Sequence, residues 1–121
     1  MSDTAPVGQK LWLLDVVEAA NRVGGEEALR EMLPLLTDLL ERDGPLIEQA
    51  LANGDAATAS KLLHSLKGCM PLFCVASLCE EVAQFEHLSK TAPADALQNG
   101  YANLRPQLQQ LNAEIKKYLA G

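Results

Sequence analysis

Between residues 97 and 118 the apolar residues Leu97, Tyr101, Leu104, Leu108, Leu111, Ile115 and Tyr118 recur at alternating steps of four and three. On an α-helix that alternation keeps all of them on one stripe, the seam along which helices pack side by side. A strand, whose side chains change face at every residue, cannot hold the same set on one side. Such a stripe must be covered, so the question becomes which other segments can cover it. Hydrophobic residues make up 48% of the chain and aromatics only 4%, with Leu and Ala dominant, a mixture that favours helix over strand.

The remaining segments are helical too. Asp15 followed by Glu18 is a D-x-x-E variant of the capping box, with Leu14 and Ala19 placed as a weak hydrophobic staple, and it predicts a short helix from about 15 to 23. Gly24 and Gly25 end it, because glycine accepts the left-handed conformation that closes a helix. From Glu26 to Ala52, Leu29, Leu33, Leu36, Leu40, Ile47 and Leu51 keep one angular phase. Pro34 and Pro45 fall about 140° to 160° from Leu29, on the solvent side, where a proline kinks a helix without interrupting its stripe. The expectation is one kinked helix, with a break near Asp43 to Pro45 as the alternative. Gly54 closes this helix and Asp55 caps the next, which carries "LLHSLKGCMP", residues 62–71. Leu78, Val82 and Phe85 define a fourth helix from about 76 to 90, and "TAPAD" turns into the last. Pro106, roughly opposite the seam of that last helix, is expected to bend it.

The fold class is therefore all-α: an antiparallel four-helix bundle with a short N-terminal helix lying across it. Residues 1–14 form a flexible or capping segment and residues 15–121 the domain. The final seam could serve a homodimer, but four amphipathic helices in one chain can cover one another first, so a monomer is expected.

Several functions are excluded by size and charge. At 121 residues the chain suffices for one core and is too short for the two lobes of a kinase. Its formal charge of -6 argues against nucleic acid and anionic lipid. No apolar run approaches the roughly 20 residues of a membrane span, and the start "MSDTAPVGQK" lacks the order of a secretion signal, so a cytoplasmic location is expected. Cys69, Cys74 and Cys79 stand five apart, and on one continuous helix each step turns the thiol by about 140°, which leaves them as packing residues and not as metal ligands.

The decapeptide holds the candidate site. With Ala59 at zero on a helical wheel, Leu62, Leu63, Leu66, Cys69, Met70 and Phe73 lie within about 80°, the buried face. His64 falls at about 140°, Lys67 at about 80° and Gly68 at about 180°, on the flank and back. Glycine inside a helix costs about 1 kcal/mol relative to alanine, a penalty that makes sense where another molecule must come close. Lys67, three residues from His64, is a like charge that disfavours protonated imidazole and leaves a free ring nitrogen as nucleophile; its ammonium also suits the oxygens of a phosphoryl group. Exposed nucleophile, cationic neighbour and missing side chain together suit phosphoryl exchange with a docking protein.

On these residues the chain resembles the histidine-containing phosphotransfer family, the carriers of multistep phosphorelays. "HSLKG" matches the family's H-x-[LI]-K-G core, "LIEQALANGDAATASKLLHSLKG" matches its run-up, and "LCEEVAQFE" is similar to its next helix, a likeness from about residue 15 to 119. The resemblance implies that His64 is phosphorylated, that Lys67 assists the phosphoryl group and that Gly68 gives the partner room. It implies transfer from an aspartyl phosphate on one receiver domain to another, with response-regulator receivers and a hybrid sensor kinase as partners. No cofactor or autokinase activity is implied, and magnesium is supplied by the receiver. The docking surface is expected to include Ser60, Lys61, Cys69 and Pro71. After the glycine the family usually continues with small residues and further glycines; here Cys69, Met70, Pro71 and Cys74 stand in those places, and Pro71 shares the azimuth of His64.

Rival readings fit less well. A sensor-kinase dimerisation domain usually has an acidic residue directly after its histidine and a proline five on, where this chain has Ser65 and Cys69. A bundle that docks receivers without carrying phosphate is the alternative of a different class. A metal enzyme using His64 and His87 fails because His87 falls about 180° from Leu78, toward water. The adjacent pairs Glu26 and Glu27, and Glu80 and Glu81, splay apart on a helix and make no acid/base couple.

Overall fold

The computed structural model describes residues 12–121, which form five α-helices and one 3-10 turn. They are α1 (Val16–Val23), α2 (Glu26–Ala52), α3 (Ala56–Cys69), the turn Met70–Leu72, α4 (Ala76–Leu88) and α5 (Ala94–Ala120). The part of the N-terminal segment before Trp12 lies outside the described residues.

Helix boundaries follow local chemistry. The Asp15 carboxylate accepts from the Glu18 amide at 3.3 Å, one half of the anticipated capping box. The other half is replaced, because the Asp15 amide donates to the Phe73 carbonyl at 2.9 Å. Gly24 and Gly25 take φ values of 101° and 132°, the left-handed region that stops α1. Asp55 caps α3 by accepting from the Thr58 amide at 3.1 Å and the Thr58 hydroxyl at 2.7 Å.

α2 runs unbroken through both prolines, which excludes the break near Asp43 to Pro45. Pro34 and Pro45 are exposed, as their azimuth required. The Tyr101 hydroxyl donates to the Gly44 carbonyl at 2.9 Å and so ties α5 to α2 beside the second proline.

The expected stripes build a single core. Leu29, Leu33, Leu36, Ile47 and Leu51 of α2 meet Leu63 and Leu66 of α3, Leu78 and Val82 of α4, and Leu97, Leu111 and Ile115 of α5, all essentially without solvent contact. Burying each such side chain is worth about 1.5–3 kcal/mol, so the packing of stripes, more than helix propensity, holds the bundle together. α2 packs on α3 and α5, α4 on α3 and α5, and α1 on α2 and the 3-10 turn. Tyr118, the last position of the seam, is only partly buried; its hydroxyl donates to Glu26 at 2.8 Å and the Arg30 guanidinium lies 4.4 Å over its ring.

The segment before α1 is pinned across the bundle. Leu14 and Cys74 form an isolated antiparallel bridge, and the amides of Leu13 and Leu14 both donate to the buried Glu114 carboxylate, at 2.8 and 2.9 Å. Gly100 marks the tightest helix contact: a Cβ there would sit 2.7 Å from the Phe85 ring, so glycine lets α4 and α5 approach.

Candidate functional site

α3 owes its exposed face to the spacing of its leucines. With Ala59, Leu63 and Leu66 buried, the side chains of His64 and Lys67 emerge on the other flank, and Leu62 is half-buried at the border. The His64 side chain is 70% exposed, which settles its direction: the ring stands in water and not among the leucines. Gly68 lies on the same side and is exposed.

Its space is empty. A Cβ built on Gly68 meets nothing within 4 Å, and its backbone does not need a positive φ. Neither internal packing nor backbone conformation therefore calls for glycine at this position, in contrast to Gly100.

The ring has a partner that sequence reasoning missed. Glu86 reaches across from α4, with Oε2 3.5 Å from His64 Nδ1 and 3.4 Å from Lys90 Nζ, while Oε1 lies 3.5 Å from Lys67 Nζ. The Glu86 side chain is only 2% exposed, covered by the three groups it attracts. That cover pushes its carboxyl up, but the hydrogen bond and charge of Lys90, with the charge of Lys67, outweigh it and hold the group below the ordinary carboxylate range. The Ser89 hydroxyl donates to the Glu86 carbonyl at 2.5 Å, closing the last turn beneath the cluster.

This arrangement corrects the expectation that Lys67 acts on the imidazole as an unopposed like charge. The ammonium is drawn to Glu86, and the same carboxylate faces the ring on its Nδ1 side. A carboxylate there favours the ring proton on Nδ1, which leaves the lone pair on Nε2 facing outward. The signal was present in the sequence: Glu86 stands four residues after Val82 and eight after Leu78, on the inward stripe, where a carboxylate needs partners.

The other named positions fall around this centre. Lys61 and Pro71 are exposed, and Ser60 and Cys69 are half-buried, with burial pushing the Cys69 thiol up. Pro71 does not continue α3 but is the second residue of the 3-10 turn, where its carbonyl accepts from the Arg22 guanidinium at 2.9 Å. The three cysteines do not share one continuous helix: the turn separates Cys69 from Cys74, and Cys74 stands just before the start of α4, which holds Cys79. Among the described residues no group of three or more His, Cys, Asp or Glu side chains is placed to hold a metal ion. His87 faces solvent, as its azimuth indicated. No helix among the described residues is long and apolar enough to cross a membrane.

Compared with known proteins, residues 31–118 match the model of the Hpt domain family. Searches of curated proteins and of solved structures found no match.

Proposed function

The chain belongs to the Hpt domain family, and from that premise we propose that it is a histidine phosphotransfer protein in which His64 accepts a phosphoryl group from an aspartyl phosphate on one receiver domain and passes it to another. Its frame is an antiparallel four-helix bundle, α2 to α5, with α1 lying across it. The observation that carries the reading is the 70% exposed imidazole whose Nδ1 faces Glu86 while Lys67 and the open space at Gly68 lie beside it.

The transfer balances on these groups. The Nε2 lone pair forms a bond to phosphorus as the bond from phosphorus to the aspartyl oxygen breaks, and the receiver's carboxylate leaves with the electron pair. The ring becomes positive in this step, and its Nδ1 proton faces the Glu86 carboxylate, which stabilises that charge. Lys67 is shared between Glu86 and the incoming phosphoryl oxygens, so it positions and partly neutralises them. Magnesium belongs to the receiver's acidic site, and no autokinase step is assigned to this chain. Ser60, Lys61, Cys69 and Pro71 surround His64 as the docking surface, for response-regulator receivers and a hybrid sensor kinase. We place the protein in the cytoplasm as a monomer that engages each partner transiently.

The test is incubation with a receiver domain labelled at its aspartyl phosphate. The native chain should acquire acid-labile label on His64, and His64→Gln should acquire none. Equal labelling of the two would overturn the assignment, and receiver binding without label would make the chain a docking module that carries no phosphate.

A further inference from the structure

The joint between α3 and α4 holds a chemistry that phosphoryl transfer does not use. Val75 precedes α4 as its cap, Cys74 is the residue before that cap, and Cys79 is the fourth residue of the helix. These are the two positions whose side chains pack against each other in a hydrophobic staple, so a five-residue step brings the cysteines together here because it spans a helix start. The Cys79 thiol donates to the Cys74 carbonyl, with sulfur and oxygen 3.7 Å apart, which sets its side chain against the residue before the cap. A disulfide needs side chains in contact, with Cβ atoms about 3.8 Å apart.

We propose that Cys74 and Cys79 are a redox-active dithiol, oxidised by a peroxide to an intramolecular disulfide, with Cys79 as the attacking sulfur and Cys74 as the resolving one. Cys79 is half-buried and within reach of a small oxidant, while Cys74 is sealed at 2% exposure behind it. The hydrogen bond from Cys74 and the charge of Arg22 outweigh burial and bring the Cys79 thiol down to about 7, while that same hydrogen bond and burial push Cys74 up. Cys69, raised by burial alone, has no such activation.

The chemistry closes without further reagents. The Cys79 thiolate attacks one peroxide oxygen, the O–O bond breaks, and the departing oxygen takes a proton as water, leaving a sulfenic acid. The Cys74 sulfur gives up its proton and attacks the Cys79 sulfur; the S–S bond forms as the S–O bond breaks, and a second water leaves. Two thiols lose two electrons and the two peroxide oxygens gain them. The product pins the start of α4, the helix that delivers Glu86, to the turn that follows the helix of His64. The inference is independent of the phosphoryl role of His64.

Mass spectrometry of the reduced full chain after brief treatment with hydrogen peroxide tests it. The intact mass should fall by two hydrogens, alkylation should then label Cys69 alone, and a dithiol reductant should restore all three thiols. Cys69→Ser should still close the bridge. Cys79→Ser and Cys79→Ala, with circular dichroism showing helix retained, should not. Pairing through Cys69, disulfide-linked dimers, a sulfinic acid on Cys79 beside unmodified Cys74, or oxidation of Cys79 no faster than of Cys69 would each overturn the proposal.

Discussion

Two glycines show how different a missing side chain can be. Gly100 is required by the Phe85 ring against it, whereas nothing within the protein touches the position a Cβ would take at Gly68. Glutamine at 68 should therefore fit the free protein and add slightly to stability, by about 0.5 kcal/mol, since glycine is a poor helix former. It should nonetheless slow phosphoryl transfer from a receiver at least tenfold, equivalent to about 1.4 kcal/mol of barrier. Urea unfolding and a transfer time course on Gly68→Gln read the two effects separately, and unchanged transfer would refute the clearance role. His64, Lys67 and Gly68 were legible from spacing on one helix. Glu86 was not read as their partner because it belongs to another helix, although its place on an apolar stripe marked it as a carboxylate in need of company.

At the level of the helices, the sequence is a good guide to each element and a poor one to the contacts between them. Caps at Asp15 and Asp55, glycine stops after α1 and α2, and the outward prolines of α2 all act within a few residues of themselves. The 3-10 turn after α3 was missed, because Met70 and Phe73 continue the buried phase of the helix even where the backbone has tightened. The approach of α4 to α5 yields a test at this level. Gly100→Ala gains helix propensity but places a methyl group 2.7 Å from the Phe85 ring, which also stacks on Tyr101 with centroids 6.2 Å apart. Overpacking of this kind costs about 1–3 kcal/mol, so the urea midpoint should fall despite the better helix former. Shortening the ring in a Gly100→Ala, Phe85→Leu double variant should recover part of the loss, and additive losses would show that the two do not meet.

For the molecule as a whole, acid should act through its carboxylates. Asp55, held low by the Thr58 hydroxyl and amide, Glu41, held low by Lys116 and Asn112, and Glu86, held low by Lys90 and Lys67 against its own cover, all have folded values below their ordinary ones of 3.8, 4.5 and 4.5. A depressed carboxyl contributes stability that is present above its unfolded value and lost as the pH falls through its folded one. Chemical denaturation should thus show a plateau above about pH 5 and a decline below about 4.5. Stability that rises on acidification through that window would contradict these partners. The same division between near and far runs through the fold. By itself the sequence determined the helices, their inward faces and the outward direction of His64, because the azimuth of a side chain depends only on spacing along its own helix. Tertiary structure alone decided that Glu86 meets His64 and that Glu114 gathers the amides of Leu13 and Leu14. Those meetings depend on how far each helix slides and rotates as all the stripes are buried at once, a condition that no single segment contains.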